Sequence, residues 1–436
     1  MSRATKDDPE RTRPRNSHGA IAGQARPRRL LLCLDGVPYE LMKAARERGL
    51  FDKFRAPSRL LSPFPTMTNI ALSAMLGASV PLGYETIYFD RTAREMRGGI
   101  NKYIGRRTPD KMPSTYMDQL DYQEPLPFEF LVYVAPETVW RADLRRFRER
   151  FRSAPQDRDY FAFLKGTDGL LHIRGAERLN VALASLDQSL REIQDWCGAE
   201  TEIVMFSDHG MNLEKNRRVH LRTHLHRCGF QITGSLHGTN DRSVALPTFG
   251  LIGFAALYCP DGAAATLAET LVPLEGIDFA LYREGAAMTV KGARGTARVH
   301  RRENRSDALY RYELIEGDPL QLASAVRTLG EDGVLNDDGY APNAIWSERT
   351  AAHIYPDALD NLYTSVTTTR VCHPADVLVS LLDGYYFGWS AFEHVVNLVA
   401  THGNALRAST SAFVMSTHRT LPEYVRANDV KPLLRA

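Results

Sequence analysis

The stretch IVMFSDHGM at residues 203–211 joins an apolar run to a cluster of polar side chains. Ile203 to Phe206 is continuously apolar, which is typical of a strand buried on both faces of a parallel sheet. A carboxylate, an imidazole and a glycine follow almost at once, as Asp208-His209-Gly210. The stretch therefore predicts a central strand whose carboxyl end carries polar groups.

Comparable apolar runs occur elsewhere in the chain, and each predicts another buried strand. They are residues 29–34, 130–134 and 160–164. Between the last run and residue 203, seven apolar side chains recur at helical spacing from Leu179 to Cys197, and a glycine follows as a stop signal. Alternating strands and helices predict the α/β class, with a mostly parallel sheet flanked by helices.

The 436 residues are predicted to divide into a basic tail and one folded domain. Residues 1–28 carry seven basic and three acidic side chains and no apolar signal sequence, so we predict a disordered tail. Residues 29–436 form the predicted domain, with the more charged segments at about 86–158 and 260–365 as insertions. With 47 basic and 49 acidic side chains this domain is slightly acidic, so no stable nucleic-acid partner is expected.

Composition and cysteine usage narrow the class of protein. The apolar content of 44% and charged content of 24% are those of an ordinary soluble globular protein. The longest apolar stretch, residues 244–258, is interrupted by proline and glycine, so no membrane span is predicted. The five cysteines lack CxxC spacing, which argues against a disulfide framework and a thiolate zinc site and favours a cytoplasmic location.

Possible metal ligands follow several of the predicted strands. Asp35 follows the first strand, Asp208 and His209 follow the strand quoted above, and His402 follows an apolar stretch near the C-terminus. Asp168 and His172 lie four residues apart after the strand at 160–164, so a helical turn would place them on one face. Functional groups collect beyond the carboxyl ends of the strands in open α/β sheets, so these residues are candidates for one site.

The donor set favours a particular kind of cation. Three aspartates and three histidines without a thiolate suit two borderline divalent ions, Zn²⁺ above all and Mn²⁺ as the alternative. Taken singly, each motif has a structural interpretation, because an Asp-Gly pair is commonly a turn and a lone histidine is commonly hydrogen-bonded.

A basic helix at residues 220–228 also places two histidines four residues apart, but its apolar stripe favours a surface helix over a metal site.

A nucleophile is predicted at Thr68. It precedes an apolar helix at residues 70–76 and would lie at or next to the N-cap, where backbone N–H groups and the helix dipole favour an alkoxide and a phosphate. The alternative is that the threonine only caps the helix.

A second basic helix, at residues 141–152, is interpreted as a surface helix packed through its apolar stripe, with an anion-facing lid as the alternative.

In order and approximate spacing, the motifs resemble the alkaline phosphatase superfamily, most closely its nucleotide pyrophosphatase/phosphodiesterase branch. The motifs are Asp35-Gly36, the segment 65–69 (PTMTN), Asp168-x-x-x-His172, the segment 207–211 (SDHGM) and the segment 401–403 (THG). The Thr-Asn pair at 68–69 also looks like phosphonoacetate hydrolase. This resemblance implies an alkaline-phosphatase-like catalytic domain that hydrolyses phosphate esters, phosphodiesters in preference to monoesters, through a phospho-threonine.

The resemblance also implies how the ligands are shared. One ion would be held by Asp168, His172 and His402, and the other by Asp35, Asp208 and His209, with Thr68 between them. The chain departs from the branch at residues 76–83 (LGASVPLG), where the usual histidine is missing. A phosphomonoesterase or phosphonate hydrolase of the same superfamily is therefore an alternative, and a catalytically inactive anion-binding protein is the alternative from another class.

Overall fold

The computed structural model describes residues 28–99, 115–132, 134–304, 307–388 and 398–435. Its strands are β1 (Leu30–Leu34), β2 (Ser58–Leu61), β3 (Ile87–Asp90), β4 (Glu95–Gly98), β5 (Tyr122–Gln123), β6 (Tyr160–Leu164), β7 (Ile203–Ser207), β8 (Arg217–Arg218), β9 (Gln231–Ile232), β10 (Ser243–Val244), β11 (Leu251–Ile252), β12 (Phe254–Leu257), β13 (Ile277–Glu284), β14 (Ala287–Gly292), β15 (Gly295–Arg302), β16 (Leu309–Gly317), β17 (Ala341–Pro342), β18 (Val377–Leu381), β19 (Tyr385–Gly388), β20 (Ser411–Ser416) and β21 (Tyr424–Arg426).

The helices cover the sheets and join the strands. They are α1 (Tyr39–Glu47), α2 (Thr68–Leu76), α3 (Leu126–Leu131), α4 (Pro136–Ser153), α5 (Gly166–Cys197), α6 (Leu221–Arg227), α7 (Ala264–Leu271), α8 (Ala323–Glu331), α9 (Asn343–Thr350), α10 (Ala358–Ser365), α11 (Arg407–Thr410) and α12 (Ala427–Arg435). In the described ranges, none of these helices combines the length and apolar character needed to cross a membrane.

The central sheet has the strand order β21-β2-β20-β7-β1-β6-β5. Strands β7, β1, β6 and β5 run parallel, β2 runs parallel to β21, and β20 runs antiparallel to both of its neighbours. The predicted α/β class, with a mostly parallel sheet flanked by helices, is confirmed.

Both faces of the central sheet are buried, which explains the continuous apolar runs. Leu30, Leu32 and Leu34 pack in a core formed with α1, α4 and α5, and the alternate residues Leu31 and Cys33 pack against α2 and α12. Each leucine buried in this way stabilises the fold by about 1.5–3 kcal/mol. A strand with two buried faces cannot alternate polar and apolar side chains, so the pattern in β1 follows from its position.

A second sheet of seven strands, in the order β12-β18-β13-β14-β15-β16-β17, is antiparallel throughout. Most of it comes from the predicted insertion at 260–365, for which no sheet was predicted. Phe64, in the segment before α2, packs edge-on against Phe279 of this sheet, with ring centroids 6.4 Å apart. The second sheet therefore lies against the segment that leads to Thr68.

The strand predicted at residues 130–134 is wrong. The chain forms α3 up to Leu131, and α4 begins at Pro136. A short apolar run does not by itself distinguish a strand from a buried helix, and Pro127 and Pro136 lie in the first turns of α3 and α4, where proline is tolerated. Neither insertion boundary is tested by the structure, so both stay predictions.

The predicted basic tail lies outside the described residues except for Arg28. That residue is 7% exposed, and its guanidinium lies 4.1 Å from the ring centroid of Phe151 on α4. The helix predicted at 141–152 is part of α4, and its apolar stripe of Leu144, Phe147 and Phe151 is buried in the core, as the surface-helix interpretation expects.

Candidate metal centre

The parallel register brings two carboxylates to the same edge of the central sheet. Leu34, the last residue of β1, pairs with Ser207, the last residue of β7. Asp35 and Asp208 are the next residues on each strand, so they leave the sheet side by side at its carboxyl edge. This is the edge at which open α/β sheets place their functional groups.

Asp35, Asp208 and His209 form a first cluster, called here the sheet triad. The Nε2 atom of His209 lies 3.5 Å from Oδ1 of Asp35 and 3.3 Å from Oδ2 of Asp208, and all three residues are 0% exposed. Oδ1 of Asp208 accepts hydrogen bonds from the backbone N–H groups of Gly36 and His209, each at 3.0 Å. These bonds orient Oδ2 of Asp208 toward the imidazole.

Asp168, His172 and His402 form a second cluster, called here the helix triad. Asp168 and His172 lie one turn apart near the start of α5, before a kink at Gly175. Nε2 of His172 lies 3.3 Å from Oδ1 of Asp168, and Nε2 of His402 lies 3.5 Å from the same oxygen. The predicted i, i+4 pair therefore shares a face as expected, and His402 reaches it from 230 residues away along the chain.

The two triads are adjacent. The rings of His209 and His402 are stacked, with centroids 4.0 Å apart and planes 20° apart. Gly36 has φ +70°, and a Cβ at this position would lie only 2.9 Å from Oδ1 of Asp168. A glycine beside Asp35 therefore lets the two clusters approach each other.

The spacing of the donor atoms fits divalent cations. Ligand atoms about 2.0–2.1 Å from a tetrahedral Zn²⁺ lie about 3.3–3.4 Å from one another. The carboxylate–imidazole distances within the two triads are 3.3–3.5 Å. In the described part of the chain, Oδ2 of Asp35, Oδ1 of Asp168 and Oδ2 of Asp208 are buried without a hydrogen-bond donor. Such oxygens are costly to bury unless a cation neutralises them.

All three histidines are oriented by backbone carbonyls. The Nδ1 atoms of His172, His209 and His402 lie 2.8, 3.0 and 2.7 Å from the carbonyl oxygens of Ala400, Gly210 and Thr66, respectively. A carbonyl can only accept, so each Nδ1 carries a proton, and Nε2 is the atom that the neutral ring offers to a metal; at His172 the neighbouring Asp168 carboxylate raises the pKa in spite of burial. This is the tautomer and the support that metal-bound histidines require.

The pKa values of the aspartates and histidines in the two triads are shifted because these groups are buried close together. Burial, together with the Asp208 carboxylate, raises the pKa of Asp35 well above its usual range, and burial raises the pKa of Asp208 to about 6. Burial lowers the pKa of His209 to about 4 and that of His402 to about 3, so both rings are neutral at pH 7. Neutral imidazoles and crowded carboxylates are the state that a divalent cation stabilises.

Thr68 lies beside the sheet triad. It is the first residue of α2, next to the N-cap Met67, as the sequence predicts. Its Oγ1 donates a hydrogen bond to Oδ1 of Asp35 at 3.3 Å and lies 3.5 Å from Nε2 of His209. The structure thus brings together all seven residues that the sequence singled out.

Sequence reasoning missed the residues that support His402. The carbonyl of the fully buried Thr66 accepts the Nδ1–H of His402, and its hydroxyl accepts the N–H of Gly403 at 2.7 Å. Asn212 and Asn404 flank the same segment and share an acceptor on Asp383. Their residue types are common in loops, so no pattern in the sequence marks them.

The glycine of the Asp-His-Gly motif also has a packing role. A Cβ on Gly210 would lie 2.3 Å from the carbonyl oxygen of Ala408 and 2.5 Å from that of Ser411. The chain after β7 therefore passes against the backbone that leads into β20, which holds Asp208 and His209 in place.

The competing histidine helix at 220–228 corresponds to α6. Leu221 and Leu225 are buried, and Nε2 of His224 lies 2.7 Å from the carbonyl oxygen of Thr270. Among the described residues, the groups of three or more potential ligands that converge are the sheet triad and the helix triad. The surface-helix interpretation of this segment is therefore favoured.

Comparison with known proteins gives likenesses at the level of structure alone. No family model matches the chain, and no curated protein is similar enough to count as a match. Human ectonucleotide pyrophosphatase/phosphodiesterase 5 is 13% identical, with 93% of each chain covered and a TM-score of 0.49. Phosphonoacetate hydrolase from Sinorhizobium meliloti 1021, in complex with phosphonoacetate, is 14% identical, with 93% of this chain and 94% of that chain covered and a TM-score of 0.49.

The murine ectonucleotide pyrophosphatase/phosphodiesterase 5 is similar at 12% identity, with 93% of this chain and 94% of that chain covered and a TM-score of 0.46. At these identities and TM-scores the likenesses carry no information about activity, so the function has to be inferred from the side chains of the site.

Proposed function

We propose that the chain is a two-metal hydrolase that cleaves phosphate esters, phosphodiesters in preference to monoesters, with Thr68 as the nucleophile. One observation carries this proposal: two buried triads of oxygen and nitrogen donors lie side by side, and the Thr68 hydroxyl is hydrogen-bonded to one of them. A structural role alone would not explain three buried carboxylate oxygens without a donor.

The triads would each hold one divalent cation, Zn²⁺ in preference to Mn²⁺. Three carboxylates and three imidazoles without a thiolate suit either ion, and three protein ligands per ion leave a position open, as in catalytic zinc sites. When bound, two such ions supply positive charge to the transferring phosphoryl group and lower the pKa of a coordinated hydroxyl.

The chain's own residues position the reaction. The N–H groups of Thr68 and Asn69 precede the first hydrogen bonds of α2, which run from Ile70 and Ala71 to the carbonyl of Met67, and at this helix N-terminus they favour a phosphate oxygen. Oδ1 of Asp35 accepts the hydrogen bond from Thr68 and orients its Oγ1. The Oγ1 of Thr68 forms a bond to phosphorus and loses its proton, while the bond from phosphorus to the ester oxygen breaks and the departing oxygen gains a proton. Water then hydrolyses the phospho-threonine, which releases the phosphate product and restores the hydroxyl.

The test combines metal counting with turnover. The purified chain should contain two zinc ions and should hydrolyse bis-p-nitrophenyl phosphate faster than p-nitrophenyl phosphate. Thr68→Ala should retain both ions and lose turnover, while Thr68→Ser should keep part of it, because a hydroxyl is still present. Ser73→Ala, which removes a buried hydroxyl from the same helix, is the matched control and should leave turnover unchanged.

Three outcomes would count against the proposal. A chain that binds no divalent metal would overturn it entirely. Bound metal without turnover on either ester would favour the anion-binding alternative, and full turnover in Thr68→Ala would exclude Thr68 as the nucleophile. A faster rate on the monoester would favour the phosphatase alternative.

A further inference from the structure

The segment that carries His402 is attached to the second sheet through Asp383. This aspartate lies in the turn between β18 and β19. Its Oδ1 accepts two hydrogen bonds, one from Nδ2 of Asn404 at 2.9 Å and one from Nδ2 of Asn212 at 3.3 Å. A single carboxylate oxygen therefore connects two chain segments that each contain a candidate metal ligand.

Both asparagines are tied closely to those ligands. Asn404 lies two residues after His402, and Asn212 lies three residues after His209. The N–H of Asn212 donates to the carbonyl of Thr401 at 2.8 Å, and Oδ1 of Asn212 accepts the N–H of Thr401 at 3.1 Å. The residue before His402 is thus held by Asn212, whose amide group is in turn oriented by Asp383 and by the amide group of Asn216.

Burial makes this arrangement restrictive. Asn212 and Asn404 are 2% and 1% exposed, so water does not readily replace Asp383 as the acceptor for their amide groups. His402 must keep its Nε2 within 3.5 Å of Asp168 for the helix triad to form. A relaxed 401–404 segment would spoil that distance first, because Asp35 and Asp208 follow the paired strands β1 and β7, and the ring of His209 is held through its Nδ1 by the carbonyl of Gly210.

We propose that Asp383 is a positioning residue that sets the metal affinity of the helix triad and leaves that of the sheet triad almost unchanged. The proposal rests on the metal binding proposed above but not on turnover. Asp383 contacts no candidate ligand itself and acts through Asn212 and Asn404. Loss of such an indirect support typically weakens metal binding about 10–100-fold.

The experiment titrates zinc, under buffered free-zinc concentrations, into the metal-depleted full chain and its variants. Asp383→Ala should bind one ion like the wild type and the other about 10–100-fold more weakly. Asp383→Asn keeps the acceptor oxygen and should bind both ions almost as the wild type does. Cobalt(II) replaces zinc in a parallel titration, and its visible absorption should lose the contribution of one site in Asp383→Ala only.

The controls separate positioning from general loss of stability. Asp318→Ala removes a carboxylate that accepts bonds from the N–H groups of Leu322 and Ala323 at the start of α8, so it should lower thermal stability and leave both zinc affinities intact. Should Asp383→Ala fail to fold, Asn404→Ala removes the other half of the shorter hydrogen bond and should weaken the same single site.

The outcomes distinguish this proposal from the proposed function. Two ions bound with wild-type affinity in Asp383→Ala, or in Asn404→Ala, would overturn the role of Asp383. Equal weakening of both sites, or an Asp383→Asn variant as weak as Asp383→Ala, would overturn it as well. A wild-type chain that binds two ions without turnover would contradict the proposed hydrolysis alone, and one that binds no zinc would overturn both.

Discussion

The sheet triad and the helix triad offer the same kinds of donor but are held in different ways. Asp35 and Asp208 follow neighbouring parallel strands, so the hydrogen-bonded register of β1 and β7 places them. In the helix triad, Asp168 and His172 come from one turn of α5, and His402 comes from a loop attached to the second sheet. The pairing of two neighbouring strands places the carboxylates of the first triad, whereas the second depends on side-chain and loop contacts that bring His402 to α5.

The support of His402 shows what this difference involves. Its carbonyl accepts the N–H of Gly253 at 2.7 Å, and the hydroxyl of Thr401 donates to the carbonyl of Leu251 at 2.9 Å. Leu251 lies in β11, which pairs with β19 in a small three-stranded sheet, and Gly253 directly precedes β12, the edge strand of the second sheet. We therefore expect the helix triad to be the weaker and more adjustable of the two sites, because more independent contacts must form before it is complete.

The largest expected effect comes from removing one carboxylate ligand from either triad. Asp208→Asn keeps Oδ1 as an acceptor for Gly36 and His209 but replaces the ligand oxygen, and Asp168→Asn neutralises the other carboxylate. Each variant should lose one zinc ion and about 10³-fold in turnover, because a missing ion forfeits several kcal/mol of charge stabilisation. Zinc content and the rate on bis-p-nitrophenyl phosphate measure both effects.

The same pair of variants tests whether the triads are separate. Loss of a single ion in each variant would support two sites with different supports. Loss of both ions in either variant would mean that the triads form one cooperative centre and are not supported separately.

A smaller effect is expected from Gly36→Ala, which acts at the contact between the triads. The positive φ costs an alanine roughly 1–2 kcal/mol of stability. The new Cβ would also lie 2.9 Å from Oδ1 of Asp168 and displace that ligand. Turnover should therefore fall on the order of 10–100-fold, as displacements of about 1 Å do in active sites.

Gly49→Ala is the matched control for this substitution. Gly49 also has a positive φ, +91°, but a Cβ there would meet nothing within 4 Å. Thermal unfolding should show a similar loss of stability in both alanine variants, whereas turnover and zinc binding should fall only in Gly36→Ala. Equal turnover in the two variants would show that the triads tolerate being pushed apart.

The smallest effect on turnover is expected from Glu85→Gln. Glu85 contacts the loop that leads to Leu251 and Gly253, which are hydrogen-bonded to Thr401 and His402. Oε1 of Glu85 accepts the N–H of Gly250 at 2.6 Å, and burial raises the pKa of Glu85 to about 7. A carboxyl whose pKa is raised on folding stabilises the fold below its unfolded pKa, and this contribution is lost as pH rises from 4.5 through 7.

Glutamine does not titrate, so Glu85→Gln should gain stability over the wild type as pH rises across that window, on the order of 3 kcal/mol. Unfolding in urea at several pH values measures the difference, and the exposed Glu200→Gln serves as the control. If the difference in unfolding free energy between Glu85→Gln and the wild type does not change with pH, Glu85 stays charged in the folded chain. The hydrogen bond from Gly250 to Glu85 would then contribute no pH dependence to the loop near the helix triad.

The sequence predicted those parts of the site that depend on local order. β1, β6 and β7 are recognisable because strands buried on both faces must be continuously apolar. Asp168 and His172 could be paired because four residues span one helical turn. Thr68 could be placed because an apolar helix follows it directly. In each case neighbours along the chain are also neighbours in space.

Where the sequence prediction failed, distant contacts or ambiguous short runs were responsible. Residues 130–134 were predicted as a strand and instead include the end of α3, because five apolar residues satisfy either structure. The second sheet was not predicted, since its strands lie within segments whose charged residues alternate irregularly. The role of Asp383 was not predicted either, because its two hydrogen-bond partners, Asn212 and Asn404, lie 171 and 21 residues away in the chain.

The amino-acid sequence by itself determined the α/β class, the central strands and the seven polar residues brought to one edge of the sheet, because apolar periodicity and short spacings act over a few residues. Only the tertiary structure decided that Thr66 and Asp383 hold the segment that carries His402, and that the triads touch at Gly36. These contacts depend on the packing of the two sheets, and packing is a property of surfaces assembled from the whole chain rather than of any local pattern.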